Sequence, residues 1–334
     1  MALVLGSLLG RLWYVGAGER QLITTRVSKL LGIKYPLLQG GMAWIATGKL
    51  AGAVSEAGAL GIIAAGSAEP QWLEKEIAVV KKITDQPFGV NVMLTSPYVA
   101  EIIDLVIREK VPVITTGAGN PGKLLPRLKE SGCKVLPVVA SVALARRLAR
   151  QGADAIIAEG TEAGGHIGQT TTMCLVPMVV DAVDIPVIAA GGIADGRGFA
   201  AALALGAEGV QMGTRFICTE ESPAHQDYKE KVIRCRDRDT VVCGVSVGRP
   251  VRVIENQFTQ YYLGKEKENL NPEELDIMGS GKFPAAVKGD VQNGSLLCGQ
   301  CAGLVKKVEP AQDIIEDVME TAVRILKELG TNYV

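Results

Sequence analysis

An excess of either charge is missing from this chain: 35 Lys and Arg against 36 Asp and Glu, scattered along 334 residues, leave a net charge of -1. That excludes a polyelectrolyte footprint for nucleic acid or for stable membrane association, so a small, uncharged or locally charged ligand is expected. Histidine is scarce, with only His166 and His225. Cys298-Gly299-Gln300-Cys301 has the spacing of a redox pair or of half a zinc site. No second pair stands at metal spacing and two histidines do not complete one, so no metal is expected and the two thiols read as ordinary neighbours. Long hydrophobic runs are absent as well. The uncharged start of the chain is interrupted at Arg11, far short of the ~20 apolar residues of a membrane span, and it lacks the basic segment of a signal peptide. Residues 1–23 therefore read as an extension outside the fold. Cysteines number seven, an odd count set mostly in apolar or helical stretches, which suits reduced thiols in a cytoplasm and not a secreted disulfide framework.

What the chain does have is apolar residues, 48%, and glycine, 39 of 334. A core of good size follows, and intrinsic disorder is excluded. Eight short apolar runs recur, marked by Leu37, Ile62, Gly89, Val113, Val135, Ile156, Val187 and Val210, at steps of 25, 27, 24, 22, 21, 31 and 23 residues. Each run is continuous, the pattern of a strand covered on both faces. Helix-like segments at 69–84, 97–110 and 141–151 lie between them, several opening on Ser, Thr or Pro and closing near Gly. Parallel strands need crossovers of that length, and eight of them close without an edge, so an α/β fold is expected, a (β/α)8 TIM barrel. An open doubly wound sheet is the alternative. The rhythm breaks over 216–304, which reads as a small inserted, mainly helical C-terminal subdomain near the barrel mouth. The amphipathic stretch 310–329 then supplies the eighth barrel helix, so the barrel comprises 24–215 and 305–334.

In such a barrel the active site lies at the carboxyl ends of the strands. The residues there are Gln39-Gly40-Gly41-Met42, Gly66-Ser67, Asn91, Thr115-Thr116-Gly117, the stretch 159–168, Gly191-Gly192-Ile193 and Gln211-Met212-Gly213-Thr214. Glycine lets backbone N–H groups approach a ligand, and the loops after strands seven and eight are the usual phosphate site of this fold. Gly191-Gly192 and Gly213-Thr214 fall in those two loops. A tight turn accounts for any one of these glycines; their pairing points to phosphate. The longest step comes from the glycine-rich stretch after strand six, and a loop that long in a compact barrel is expected to be functional. His166 sits on it as a candidate proton donor or substrate positioner. Two nucleotide motifs fail. Gly117-Ala118-Gly119-Asn120-Pro121-Gly122 spells the dinucleotide fingerprint, but no acidic residue ends the next strand to meet a ribose. Read as a phosphate loop, the same stretch puts Leu124 where magnesium needs a hydroxyl.

Taken in order, Gln39-Gly40-Gly41-Met42-Ala43-Trp44, Gly89-Val90-Asn91, Thr115-Thr116-Gly117-Ala118-Gly119-Asn120-Pro121, Glu159-Gly160, Glu162-Ala163-Gly164-Gly165-His166-Ile167-Gly168, Ala189-Ala190-Gly191-Gly192-Ile193-Ala194-Asp195-Gly196 and Gln211-Met212-Gly213-Thr214-Arg215-Phe216 form a specific set. The set resembles the flavin-dependent enoyl-acyl-carrier-protein reductase II of bacteria, within the nitronate monooxygenase-like superfamily, from about Thr24 to the C-terminus. The resemblance implies an FMN-containing barrel that uses NADH or NADPH to reduce the trans-2 double bond of enoyl thioesters in type II fatty acid synthesis. It places FMN on Gly41, Met42 and Asn91, with the phosphate on Gly191, Gly192, Gly213 and Thr214, and makes His166 the catalytic or substrate-positioning histidine. Gly164, Gly165 and Gln211 join the same cofactor set. Glu159 matches the reductase branch, where the monooxygenase branch more often has Gln. Ser295 and Gln300 match a family segment near the cofactor, from which this chain departs by carrying Cys298 and Cys301.

The implied reaction moves a hydride from nicotinamide through flavin to the β-carbon of the enoyl thioester, while His166 protonates the α-carbon or hydrogen-bonds the enolate oxygen. A visiting nicotinamide needs no dinucleotide domain, in keeping with the failed fingerprint at Gly117. The alternatives are a nitronate monooxygenase using FMN and oxygen on the same scaffold, and a flavin-free phosphate-binding barrel. The implied partners are an enoyl-acyl-carrier-protein substrate and a second copy of the chain, since cytoplasmic homo-oligomers are commonly twofold dimers. Arg146, Arg147 and Arg150, or Lys231, Arg234, Arg236 and Arg238, are the basic clusters open to an acidic carrier.

Overall fold

The apolar runs fold as strands because neither face of them meets water. A computed structural model describes residues 23–66, 68–268 and 270–332, and in it the runs form β1 (Leu37–Gln39), β2 (Gly61–Ala64), β3 (Phe88–Met93), β4 (Val113–Gly117), β5 (Lys134–Val139) and β6 (Ile156–Glu159). A two-residue strand β7 (Gly165–His166) stands apart, and β8 (Val187–Ala190) and β9 (Gly209–Met212) complete the set. The eight long ones make one parallel sheet in the order β1-β9-β8-β6-β5-β4-β3-β2. A parallel bridge from Leu38 to Leu60 joins its two ends, so the sheet is a barrel and the doubly wound alternative falls. At that seam the fully buried Gln39 turns its amide onto β2. The Ile62 N–H donates to Oε1 at 3.2 Å, and Nε2 donates to the Ile62 carbonyl at 3.3 Å. A side chain thus supplies the bonds where the β1–β2 ladder is short, and Gln39 belongs to the seam.

Leu38, Ile62, Val113, Leu136, Ile157 and Ile188 fill the barrel interior, joined by Val27, Leu31 and Ile33 from the helix Arg26–Leu31 and the turn that follows it. That helix plugs the amino end. A reciprocal cap between Thr25 and Ser28 starts it, and Arg26 ties it to the barrel through Glu208, Nε to Oε2 at 2.8 Å. The expected extension at 1–23 lies outside the described residues except for Ile23. Helices cover the outside. Gly61 has no side chain because a Cβ there would stand 1.8 Å from the Ala51 carbonyl oxygen of the helix Gly48–Glu56. The last helix, Ala311–Asn332, packs between Gly196–Ala204 and Gly48–Glu56. Gly196 permits that approach, since its Cβ would meet the Val318 carbonyl oxygen at 2.5 Å.

Between β9 and that last helix the chain forms the helices Gln226–Ile233, Gln257–Lys267, Pro272–Gly279 and Lys282–Val287. It also forms an antiparallel hairpin of β10 (Thr240–Cys243) and β11 (Val251–Ile254), which the sequence pattern does not reveal. Two four-residue strands give no period to detect, and Gly244, Gly248 and Pro250 between them read only as loop. β11 also pairs with β7, Val251 opposite His166 and Arg252 opposite Gly165, and Leu297 bridges to Val253. Cys243, Val253, Tyr262 and Leu275 form a small core beneath the hairpin. No helix among the described residues is long and apolar enough to cross a membrane.

Candidate active site

Counting in twos along the strands from the interior residues brings four polar side chains to the carboxyl end of the barrel: Asn91, Thr115, Glu159 and Gln211. The strand registers agree, pairing Asn91 with Thr115, Glu159 with Ala190 and Ala190 with Gln211. Asn91 Nδ2 donates to Thr115 Oγ1 at 2.9 Å. The Glu159 carboxyl makes no hydrogen bond or ion pair with the described residues, and burial alone pushes it up to about 7, because nothing offsets the lost hydration of the charged form. The Gly40-Gly41 turn crosses this floor closely. A Cβ on Gly40 would stand 3.0 Å from the Gln211 side chain, and one on Gly41 2.5 Å from Asn91 Cβ. The Met42 sulfur lies beside Gly213, 3.6 Å from where its Cβ would be.

An anion cradle adjoins the floor. Gly191 and Gly192 adopt left-handed backbone, with φ of 91° and 76°, which glycine alone takes without strain. The Ala190–Gln211 register sets this turn beside Gly213-Thr214. The N–H groups of Gly191, Gly192, Gly213 and Thr214 donate to no described residue. Unpaired donors gathered at one place are costly unless an acceptor arrives, and an anion satisfies them together. The inserted segment adds a third wall. The Gly299 N–H donates to Thr214 Oγ1 at 2.9 Å, and the Gln300 N–H to the Glu162 carbonyl at 2.9 Å. The Glu162 carboxylate turns to the helix Thr172–Val180, accepting from the Thr172 N–H at 2.8 Å and its hydroxyl at 2.9 Å. A negative charge there caps the helix amino end.

The loop after β6 is stapled by β11. Gly164 lies on the backbone of Cys298, Gly165 and His166 pair with Arg252 and Val251, and the Ile167 N–H donates to the Pro250 carbonyl at 3.1 Å. The buried Arg252 donates from Nε to the Thr161 carbonyl at 3.0 Å. His166 points outward at the mouth, and its imidazole makes no hydrogen bond with the described residues. Desolvation by its surroundings and the nearby Arg249 guanidinium lower its pKa below the ordinary value of 6.5, so the ring is neutral at neutral pH. Arg249 itself pairs with Asp276 at 2.9 Å. His225, the other histidine, accepts from the Asp227 N–H at the start of Gln226–Ile233 and is structural.

Gly41, Met42, Asn91, Glu159 and Gln211 therefore meet at the floor, and Gly191, Gly192, Gly213 and Thr214 form the cradle. Gly164, Gly165 and His166 form the stapled arm. Gln300 reaches the third wall by its backbone, its side chain being exposed. Ser295 is tied elsewhere, its N–H donating to the Lys282 carbonyl at 2.9 Å. The pattern of the sequence assigns no role to Glu162, Thr172, Arg249, Arg252 or Gly299. Glu162 caps a helix opening ten residues later, which is no local capping spacing, and the last three come from the stretch without a period.

A (β/α)8 barrel with a polar floor and an anion cradle after its last two strands is the framework of an enzyme that takes a phosphate-bearing ligand. The chain belongs to the nitronate monooxygenase family, which it matches over residues 24–105 and 99–321. Among solved structures, FabK from Thermotoga maritima is similar at 51% identity and a TM-score of 0.91, covering 93% of this chain and 100% of that one. A probable nitronate monooxygenase from Staphylococcus saprophyticus is 37% identical over 352 residues, 91% of this chain and 99% of that protein. A 5-hydroxy-7a-methyl-1-oxo-octahydro-1H-indene-4-carboxyl-CoA dehydrogenase from Rhodococcus jostii is 34% identical over 346 residues, 92% of this chain and 98% of that protein.

Proposed function

We propose that the protein is an FMN-dependent enoyl-acyl-carrier-protein reductase that uses NADH or NADPH to reduce trans-2-enoyl thioesters. The observation that carries this is the 51% identity with FabK over the whole of that chain, added to the motif set that resembles enoyl-acyl-carrier-protein reductase II. The residues present fit the flavin nucleotide. Gly191, Gly192, Gly213 and Thr214 would hold its phosphate on their free N–H groups, and Gly41, Met42, Asn91, Glu159 and Gln211 would border its ring. Bound FMN supplies the hydride transfer that no side chain here can perform. His166 then acts as a neutral imidazole whose N–H hydrogen-bonds the thioester carbonyl as negative charge develops on that oxygen. Glu159, protonated over part of the neutral range, keeps a full negative charge off the floor. The setting this entails is a cytoplasmic homodimer acting on carrier-bound acyl groups.

The family match and the relatives named probable nitronate monooxygenases favour a second reading, oxidation of a nitronate by oxygen without nicotinamide. Anaerobic mixing with NADH or NADPH, followed by a crotonyl thioester, separates the two. A reductase bleaches and then recovers its colour without oxygen. Recovery only with oxygen, together with turnover of a nitronate, overturns the reductase assignment.

A further inference from the structure

Buried thiols crowd the third wall of the anion cradle. Cys218, Cys235, Cys298 and Cys301 are each at most 7% exposed, and the first three surround Tyr228, whose hydroxyl donates to the Leu297 carbonyl at 2.8 Å. The chemistry above uses none of them. Cys298 and Cys301 flank Gly299, whose N–H holds the Thr214 hydroxyl at 2.9 Å. The Thr214 hydroxyl draws both thiol pKa values down against the effect of burial, and Cys301 Sγ lies 3.8 Å from the Ile193 carbonyl oxygen. The segment that carries the pair therefore contacts both phosphate loops, Cys301 at Ile193 and Gly299 at Thr214. The two residues are three apart across the start of the 3-10 turn Gln300–Leu304, the spacing of protein dithiols that cycle with disulfides.

We propose that Cys298 and Cys301 are an oxidisable dithiol whose closure to a disulfide unlatches the cradle and releases the flavin nucleotide. The inference rests on the cradle being the phosphate site of FMN. With hydrogen peroxide as oxidant, two S–H bonds and the O–O bond break and one S–S bond forms. The two protons and two electrons leave the thiols, and the peroxide departs as two waters. Closure to a disulfide removes the Cys301 S–H, so the Ile193 carbonyl loses that donor, and it ties together the backbone on either side of Gly299, whose N–H holds Thr214. Burial pushes Cys301 up to about 11 and Cys298 well above the ordinary thiol value, so neither is a thiolate while the wall is closed. Oxidation needs the wall to open, and a bound phosphate opposes that. FMN binding and disulfide formation are then mutually antagonistic, each weakening the other by the same factor.

The test treats the FMN-loaded and FMN-free protein with hydrogen peroxide, alkylates the remaining thiols, maps the products by peptide mass and measures FMN affinity by fluorescence quenching. A Cys298–Cys301 disulfide should form more slowly in the FMN-loaded protein than in the FMN-free one, and once formed it should weaken FMN binding by roughly tenfold, a coupling of ordinary size. Dithiothreitol should restore the affinity, and Cys301→Ser should keep its own starting affinity under the same peroxide. A mapped Cys298–Cys301 disulfide with unchanged affinity, a disulfide through Cys218 or Cys235 instead, or equal loss of FMN from Cys301→Ser overturns the proposal alone. Untreated protein that binds no FMN overturns the cradle assignment and the proposal together.

Discussion

His166 is paired by its backbone with Val251, so the candidate proton-handling residue belongs to the barrel by sequence and to the inserted hairpin by hydrogen bonding. Ile167 and Thr161 extend the same staple to Pro250 and Arg252. A glycine-rich stretch that would otherwise wander becomes a short strand of fixed register. The imidazole is positioned without spending its own nitrogens on structure, which leaves them for a substrate.

If the imidazole polarises the thioester, His166→Ala should leave FMN bound and its reduction by nicotinamide intact, while reoxidation by a crotonyl thioester slows by about 10²–10⁴-fold. Because the pKa is lowered and the neutral ring is the active form, the imidazole should add no pH dependence to the second half-reaction at neutral pH. That rate should fall on this account only as pH drops below the ordinary histidine range. Stopped-flow measurement of both half-reactions checks this. An unchanged reoxidation rate in the variant removes His166 from catalysis, and a rate that rises on acidification in the wild type but not in His166→Ala assigns the work to the imidazolium.

Gly192→Val probes the cradle. A branched side chain must adopt a φ of 76° and sit 3.2 Å from Glu162 Cβ, a backbone strain on the order of 1–3 kcal/mol. The same side chain crowds the free N–H groups of the turn. FMN affinity should fall by more than the loss of stability of the FMN-free protein accounts for. Fluorescence titration beside thermal unfolding gives both numbers, and normal FMN affinity in a folded variant would falsify this site for the phosphate.

Glu159 makes stability depend on pH with a definite sign. Its carboxyl titrates near 7 in the folded chain against an ordinary 4.5, so between those values the folded protein keeps a proton that the unfolded chain releases. The stability tied to that proton is complete below about 4.5 and is lost as pH rises through about 7. Glu159→Gln, tested on FMN-free protein, should therefore match the wild type near pH 4.5. It should exceed it at pH 8 by roughly 1–3 kcal/mol. Denaturant titrations at both pH values decide; an equal difference at both means the carboxyl is not desolvated.

The parts of this fold that are legible in the sequence are those carried by local pattern. A strand buried on both faces needs only a continuous apolar run, so all eight barrel strands show themselves. The paired turns Gly191-Gly192 and Gly213-Thr214 show themselves through glycine next to a strand end. What stays hidden depends on contacts far apart in the chain. Gln39 looks like a mouth residue until the β1–β2 seam claims its amide. Glu162 acquires its partner only when the loop after β6 folds back on Thr172, and the short β10 and β11 become strands because each has the other, and β7, to pair with.

Arg252 provides the sharpest separation of structure from chemistry. Its guanidinium is buried, bonded to the Thr161 carbonyl at 3.0 Å and near Thr240 Oγ1 at 3.3 Å. Burial lowers its pKa while the charge of Glu162 partly offsets that. Arg252→Met keeps an apolar stem without the guanidinium, so it leaves the Thr161 carbonyl without its donor and removes a neighbouring positive charge from Glu162. The cost should be about 1–3 kcal/mol, concentrated in the arm that carries His166. Amide exchange should quicken over 161–167 and stay unchanged in β3 and β4, while the second half-reaction slows by less than in His166→Ala and FMN reduction holds. Arg252→Lys retains the charge without the fork and should recover only part of the rate. If exchange over 161–167 in Arg252→Met matches the wild type while the rate still falls, Arg252 touches the substrate itself. If neither changes, the β11 staple is held by its backbone pairs alone.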